Sequence, residues 1–295
     1  MARLWAVTGV LIISFSAIFV RLAGVSPTTS AFFRCLYALP LLVVLWLLQR
    51  GSSRRPPRDR WLAVAAGIFL GLDLAFWHRA IDLIGAGLAT VLGNTQVVFV
   101  GLLAWLLHGE RPTRRALAAV PVVFAGVVLI SGVGADRAYG VDPRLGVFFG
   151  LLTGITYAIF LLGYRASGRG LGSPVGPLLD ATIGAILGTL VVGAVDRQID
   201  FAVTWPAHGW LLALAVGSQV IGWQLIGAAL PRLPALETSV YLLLQPMLTA
   251  LWAWLLFAER LAPAQLAGMS LVLTGVGWMS MSGSVTPPAE EPTGD

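Results

Sequence analysis

The sequence has no lysine, a single cysteine and few charged residues of any kind. All 19 cationic residues are arginine, and Asp, Glu, Lys and Arg together make up 11% of the 295 residues. The lone Cys35 excludes a disulfide within the chain, and His78, His108 and His208 are too isolated to form a metal cluster. We therefore expect neither a metal nor a cofactor.

Apolar residues fill most of the chain instead. Hydrophobic residues account for 57% of it and the mean hydropathy is +0.84, which is typical of a membrane protein rather than a soluble domain. The net charge of +5 comes from arginines that cluster in short loops between apolar runs. Membrane topology explains that pattern better than a nucleic-acid partner does, so the expected surroundings are a lipid bilayer and no nucleic acid.

Ten apolar stretches approach the length of about 20 residues that a helix needs to cross the hydrocarbon core. They are residues 4–23, 28–49, 61–81, 84–107, 115–132, 144–164, 174–195, 209–229, 235–257 and 263–282. Helices are expected because lipid cannot satisfy backbone hydrogen bonds, and the alternation of barrel strands is absent. The predicted fold is an all-α membrane protein with ten transmembrane helices.

The distribution of arginine predicts the orientation. With the N-terminus in the cytoplasm, twelve arginines lie on the cytoplasmic side, six lie outside, and Arg34 is within a span. We expect a multi-pass protein of the plasma membrane, the inner membrane of a bacterium, with both termini cytoplasmic. Residues 284–295 have no apolar pattern and predict a disordered cytosolic tail.

An internal repeat divides the chain into two halves. "AWLLHGER" at 104–111 returns as "AWLLFAER" at 253–260 with six of eight letters unchanged, and Gln96 matches Gln245 at the same offset. Residues 1–135 and 142–283 are therefore predicted to be two five-helix repeats. Because five is odd, the second repeat enters the membrane from the opposite side, and such inverted repeats are associated with secondary transporters.

The longer segments "LLHGERPTRRALAAVPVVFAGVVL" and "LLFAERLAPAQLAGMSLVLTGVG" resemble the EamA-type ten-helix transporters of the drug/metabolite transporter superfamily. The resemblance implies a basket of helices around a central cavity, cytoplasmic termini, and export or facilitated movement of small metabolites. The fourth span reads "GNTQVV" where many relatives carry a proline, whereas the ninth keeps Pro246. The sequence therefore gives no support for a kink in span four.

Asp73 is the most unusual polar residue, because an ionised carboxylate in midspan costs about 2.5–3.5 kcal/mol. It predicts a site for a coupling proton or a substrate amine; the alternative is a protonated or hydrogen-bonded packing residue. Trp77 shares its helix face. His78 lies about 140° further round the helix, where it could titrate or bond a neighbouring helix.

Other polar and aromatic residues at membrane depth complete the candidate site. Pro246 removes a backbone donor and predicts a hinge in span nine. Gln219, Trp223 and Gln224 occupy span eight as Asp73, Trp77 and His78 occupy span three. Either cavity lining or bonding between helices could explain such groups. The substrate-binding candidates are Ser16, Asp73, Trp77, His78, Asn94, Gln96, Tyr157, Gln219, Trp223, Gln224, Tyr241 and Gln245.

The remaining charged residues within or beside spans predict simpler roles. Arg34 is expected either to extend toward the interface or to pair with a carboxylate such as Asp73 or a substrate anion. Asp180 predicts interfacial solvation, and Glu110 and Glu259 predict local ion pairs with the arginines beside them. Glycines four residues apart, at 67–71, 150–154 and 184–188, predict close helix packing.

These features favour a secondary transporter that moves metabolites, amino acids or drug-like solutes by alternating access, with or without proton coupling, and the EamA resemblance implies that it is an exporter. The small number of cationic residues within the spans disfavours a strongly anionic solute. An uncoupled facilitator or channel is the alternative, although rings of like charge are absent. A membrane-embedded enzyme is a weaker alternative, because no zinc-protease motif or serine elbow occurs. A homodimer stays open.

Overall fold

The computed structural model describes residues 1–49, 55–109, 112–133, 138–168, 173–229, 232–233 and 235–282. The predicted tail at 284–295 and Glu110 lie outside these residues. Within them the chain is helical and contains no β-strand. The all-α prediction is therefore confirmed for the part of the chain that the structure describes.

The helices follow one another with short connections. They are α1 (Ala2–Ser14), α2 (Ser16–Ala23), α3 (Pro27–Leu48), α4 (Pro57–Gly93), α5 (Gln96–His108), α6 (Arg114–Ile130), α7 (Pro143–Ser167), α8 (Val175–Asp196), α9 (Ala207–Leu214), α10 (Trp223–Ala229), α11 (Ala235–Phe257) and α12 (Pro263–Ser282). A π-helical segment, Ala215–Gly222, joins α9 to α10.

Among the residues that the structure describes, six stretches are long and apolar enough to cross a membrane. They are Ala2–Ala23, Pro27–Leu48, Pro57–Gly93, Pro143–Ser167, Val175–Asp196 and Ala207–Ala229, and shorter apolar helices occur at Gln96–Leu107 and Tyr241–Phe257. The prediction of a multi-pass helical membrane protein agrees with these stretches. The count of ten spans and their inverted arrangement stay predictions.

Side-chain caps determine where several helices begin. The Ser26 hydroxyl accepts a hydrogen bond from the Thr29 N–H at 3.2 Å ahead of α3, and Asp142 accepts one from the Leu145 N–H at 3.0 Å ahead of α7. In both helices a proline occupies the first position, where no backbone donor is needed. These starts lie within a residue of the predicted limits, 28 and 144.

The fourth predicted span departs from the sequence argument. The break predicted between residues 81 and 84 occurs at Gly85, whose φ of 83° and ψ of 167° are not helical, so α4 has two helical parts. A second break at Asn94 and Thr95 separates α4 from α5. The span is therefore interrupted without a proline, which corrects the expectation drawn from "GNTQVV".

Glycines bring pairs of helices into backbone contact. A Cβ added at Gly67 of α4 would lie 2.8 Å from the Cα atom of Ala181, and one added at Gly184 of α8 would lie 3.0 Å from the Cα atom of Gly67. Helices α6 and α12 approach equally closely, since a Cβ at Gly126 would lie 2.6 Å from the carbonyl oxygen of Gly268. The predicted packing role of the paired glycines at 67–71 and 184–188 is confirmed.

Two buried carboxylates join the two halves of the chain. Asp180 of α8 is 4% exposed, and its Oδ2 atom lies 2.6 Å from Arg55 Nη1, just before α4 begins. Glu259, which follows α11, is also 4% exposed and pairs with Arg21 of α2. The expectations of a solvated Asp180 and a local partner for Glu259 were both wrong, because each carboxylate takes a partner distant in sequence. Burial explains this, since a carboxylate removed from water needs a cation beside it.

Candidate functional site

A cavity of about 300 Å³ lies between the two halves of the chain. Both halves supply its walls, which are mostly apolar with a few polar groups, as in many small-molecule sites. Its lining residues are Ile13, Ser16, Arg34, Leu70, Asp73, Leu74, Trp77, Thr90, Gly93, Asn94, Gln96, Thr153, Tyr157, Leu161, Trp223, Ile226, Leu242 and Gln245.

Several interruptions of regular helical geometry lie beside this cavity. The break between α1 and α2 at Phe15 lies beside cavity-lining residues, and so does the break between α4 and α5. The π-helical segment ends just before Trp223, and Pro246 follows Gln245 inside α11. Backbone irregularity at membrane depth is tolerated where it is buried in protein or lines a cavity. Because α11 is helical on both sides of Pro246, its role as a hinge stays a prediction.

The break between α1 and α2 is braced by α11, from the other half of the chain. The Ser14 carbonyl accepts a hydrogen bond from the Thr249 hydroxyl at 2.9 Å, and the Ser14 hydroxyl accepts one from Trp252 Nε1 at 3.0 Å. The carbonyl that the break removes from the helical ladder thus finds a partner across the interface. The cavity wall at Ser16 is therefore held by both halves.

The break between α4 and α5 is stabilised locally. The Thr95 hydroxyl donates to the Leu92 carbonyl at 2.6 Å, and Asn94 Nδ2 donates to the Thr90 carbonyl at 2.8 Å. A Cβ on Gly154 of α7 would approach the backbone nitrogen of Gln96 at 3.2 Å, so only glycine lets α7 pack this closely against the break. These contacts turn the Gln96 and Asn94 side of the chain toward the cavity.

Two ionisable side chains, one basic and one acidic, line the cavity without forming an ion pair with each other. Arg34 is 5% exposed and Asp73 is 6% exposed. The Nε atom of Arg34 donates to Gln219 Oε1 at 3.0 Å, and its guanidinium lies 6.0 Å from the centre of the Trp77 ring. Among the residues that the structure describes, no ion pair joins Arg34 to Asp73. Extension of Arg34 toward the interface is therefore not observed.

Neutral polar atoms add further recognition groups. Gln96 Oε1 and Thr153 Oγ1 are buried cavity-lining atoms that have no hydrogen-bond partner within the protein. Gln245, the counterpart of Gln96 in the repeat, lies in the same lining. Buried polar atoms without partners are rare in native proteins, because each loses its bonds to water. The hydrogen-bonding capacity of these two atoms is therefore unused within the protein.

Aromatic rings form one wall of the cavity. Tyr157 and Phe160 are stacked with ring centres 5.8 Å apart, and Trp223 meets Phe160 edge to face at 5.9 Å. Trp77 lies in the same lining beside Asp73. Such rings present rigid apolar faces to a bound solute.

Eight of the twelve substrate-binding candidates line the cavity: Ser16, Asp73, Trp77, Asn94, Gln96, Tyr157, Trp223 and Gln245. The other four lie outside its lining. His78 is fully buried, and its Nδ1 donates to the Pro27 carbonyl at 3.2 Å, so it bonds a neighbouring helix. Gln219 accepts a hydrogen bond from the Arg34 side chain. Gln224 and Tyr241 are half-buried. Contact of any of the twelve with a solute stays a prediction.

Three polar lining residues were absent from the candidate set. The sequence argument gave Arg34 a substrate anion as one of its expected partners, and that expectation was a signal for the cavity. Thr90 and Thr153 could not be told apart from packing residues, because a threonine within an apolar span usually bonds its own or a neighbouring helix. Thr90 does so, donating to the Ala86 carbonyl at 2.8 Å.

A bundle of apolar helices that encloses a mostly apolar cavity between its halves, with a few polar groups and helix breaks around it, is typical of a membrane transporter. Residues 1–132 and 144–281 match the EamA-like transporter family, and the chain belongs to that family. The predicted resemblance is thus confirmed. A small solute and a lipid environment follow from this membership, and the family points to a transporter rather than an enzyme.

Individual relatives agree with this assignment. The chain is similar to an uncharacterized transporter of Archaeoglobus fulgidus, with 30% identity over 258 residues that cover 84% of this chain and 85% of that protein. It is 25% identical to the uncharacterized transporter YvbV of Bacillus subtilis over 240 residues, covering 80% and 77% of the two chains. A 72-residue stretch, 24% of this chain, is 33% identical to 62% of a probable 4-amino-4-deoxy-L-arabinose-phosphoundecaprenol flippase subunit, ArnE, of Yersinia pestis.

A solved crystal structure shares the fold. It superposes with a TM-score of 0.60 at 18% identity and covers 95% of this chain and 96% of its own. At this identity the likeness concerns the fold alone.

Proposed function

We propose that this protein carries a small zwitterionic solute across the plasma membrane by alternating access. The observation that carries the proposal is the pair of buried ionisable side chains, Arg34 and Asp73, that line one cavity and form no ion pair with each other among the described residues. A buried charge is stable only beside an opposite charge or strong hydrogen bonds. A solute with a carboxylate and an amine supplies both partners, the first for Arg34 and the second for Asp73.

The size and walls of the cavity narrow the solute class. Its volume of about 300 Å³ lies at the lower end of the range for ligand sites, which suits an amino acid better than a sugar nucleotide. Tyr157, Trp223 and Trp77 favour an apolar or aromatic side chain on that solute. The unpartnered Gln96 Oε1 offers a further acceptor for the amine.

Alternating access is supported by the two separate matches to one family, at 1–132 and 144–281. If each match holds five spans, the halves are inverted, and rocking one against the other exposes the shared cavity to each side in turn. Ten spans place both termini on one side, which the arginine distribution predicts to be the cytoplasm, and the family resemblance favours outward movement of the solute. Asp73 then carries the coupling proton whenever the amine is absent.

The test is solute counterflow in liposomes that contain the purified protein. A labelled amino acid is competed with its methyl ester, its N-acetyl derivative and the amine that lacks the carboxylate. We expect both blocked derivatives to compete poorly. Arg34→Gln should weaken competition by the zwitterion about 30-fold, since a hydrogen bond to a charged group contributes about 2 kcal/mol, and should leave competition by the amine unchanged.

Arg79→Gln is the matched control, because Arg79 also donates to a glutamine, Gln198 Oε1 at 2.9 Å, but lies outside the cavity lining. It should leave competition unchanged. Equal effects of Arg34→Gln and Arg79→Gln would contradict the assignment of the solute carboxylate to Arg34. Counterflow also separates a carrier from a channel, since a channel shows no acceleration by solute on the opposite side.

A further inference from the structure

The carboxylate of Glu259 holds three parts of the bundle together. Its Oε1 atom accepts the N–H of Ala86 at 2.8 Å, its Oε2 atom accepts the N–H of Gly87 at 3.3 Å, and Arg21 donates to it from α2. The carboxylate thus lies at the N-terminus of the helical part of α4 that begins at Ala86. Unpaired N–H groups at such a position favour a negative charge.

The backbone around this carboxylate is shaped to admit it. A Cβ on Gly85 would lie 2.6–2.7 Å from the carboxylate atoms of Glu259, and φ at Gly85 is 83°. Both the space and the backbone conformation therefore require glycine. On the other side the Arg21 guanidinium lies 4.1 Å from the centre of the Phe257 ring, so it is held by a charge and by a π-face.

This contact lies between two cavities. Thr90 and Ser16 line the main cavity, whereas Arg21 and Gly85 line a second cavity of about 470 Å³. Gly85 and Thr90 are five residues apart along α4, and Ser16 and Arg21 are five residues apart along α2. A helix completes one turn in 3.6 residues and rises about 5.4 Å per turn. The chain therefore passes from one cavity to the other within two turns, and Glu259 lies at that passage.

The contact also joins the two halves of the chain, because Arg21, Ala86 and Gly87 belong to the first and Glu259 belongs to the second. The other buried pair between the halves, Arg55 with Asp180, lies beyond the opposite end of α4. The helical stretch between the two pairs, residues 57–84, is about 40 Å long at 1.5 Å per residue. The main cavity, with Asp73, lies between them.

We infer that Glu259, with Arg21 and the N–H groups of Ala86 and Gly87, is the gate between the main cavity and the second cavity, and that the second cavity is the vestibule for the solute at this end. The inference rests on the proposed alternating access. Opening at this end separates the halves, so the hydrogen bonds to Glu259 must break. In the structure described here the gate is closed.

Thiol labelling from one side of the membrane tests the gate without any need for a known solute. In a Cys35→Ala background, Leu74→Cys in the main cavity is the reporter, and a membrane-impermeant maleimide is added to vesicles of either orientation. Glu259→Gln keeps the shape of the side chain and removes its charge. It should accelerate labelling from the vestibule side about tenfold, because the closed state loses charge-assisted hydrogen bonds.

Arg260→Gln is the matched control, since Arg260 is the next residue and is exposed. It should leave the labelling rate unchanged, and Asp180→Asn at the far end of α4 should not accelerate labelling from the vestibule side. Equal rates for Glu259→Gln and Arg260→Gln would overturn the gate. Acceleration by Asp180→Asn from the vestibule side would also overturn it, because the effect would then be a general loosening.

If Glu259→Gln does not yield folded protein, Arg21→Gln removes the same ion pair from the other half and must give the same acceleration. A rate equal to that of Arg260→Gln would overturn the gate in that case as well. The proposed function fails separately, since an absence of solute counterflow in the parent protein would contradict alternating access, whatever the labelling of the Glu259 variants.

Discussion

Replacing Gly67 by alanine is expected to destabilise the protein, although glycine to alanine within a helix normally stabilises it. Gly67 lies where α4 crosses α8, and the added Cβ would overlap the carbonyl oxygen of Ala181 and would lie 2.8 Å from its Cα atom. Carbon atoms in contact are normally about 3.5–4.0 Å apart. The two helices must therefore separate by at least about 1 Å to admit one methyl group.

The magnitude follows from two opposing effects. Overpacking of a close contact costs about 1–3 kcal/mol, whereas alanine regains about 1 kcal/mol of helix propensity. The obstacle at Gly67 is the backbone of Ala181, which cannot rotate away as a side chain can. We therefore expect an overpacking cost near the upper end of the range of about 1–3 kcal/mol. The net loss in the free energy of unfolding is then about 2 kcal/mol, which lowers the Tm by about 5 °C.

The assay is thermal unfolding of purified protein in detergent, followed by tryptophan fluorescence, with Gly101→Ala as the control. Gly101 lies inside α5, where nothing is within 4 Å of an added Cβ. The control should unfold at the temperature of the parent protein or slightly above it. Equal midpoints for Gly67→Ala and Gly101→Ala would refute the argument that backbone contact limits this crossing.

Two further predictions concern transport in liposomes. Asp73→Asn should abolish the dependence of uptake on an imposed pH gradient, since an amide cannot carry the proton; an unaltered dependence would remove Asp73 from coupling. Gln96→Ala and Gln245→Ala should each weaken the apparent affinity for solute about tenfold, through loss of one buried hydrogen bond. Saturation curves like those of the parent protein for both variants would count against a shared lining.

Hydropathy alone could predict where most helices lie. The limits of α3, α7 and α12 are within a few residues of the predicted spans, because each is one apolar run closed by a cap or a proline. The interruption of span four could not be predicted in this way. It depends on the Thr95 hydroxyl and on Gly154 of another helix, and neither contact leaves a mark in the local apolar pattern.

Pairings between distant residues explain the gaps in the predicted site. A midspan charge such as Asp73 is conspicuous in any sequence, and so are glutamines that recur in a repeat. The partners of Arg34 and Glu259 are different, since Gln219 and Arg21 are separated from them by 185 and 238 residues respectively. Only the folded bundle brings such pairs together, so the sequence could identify candidate groups but not the groups that each would contact.

Both charged residues of the main cavity, Arg34 and Asp73, come from the first half of the chain, whereas the second half contributes only neutral residues such as Tyr157 and Trp223. If the halves rock as proposed, a zwitterion held there would have its charged groups bound to the first half and its side chain against the aromatic residues of the second. The charged groups would then move with the first half, whereas the side chain would shift across aromatic faces that tolerate displacement. The second half would accommodate solutes with different side chains, and the first half would select for the charged groups.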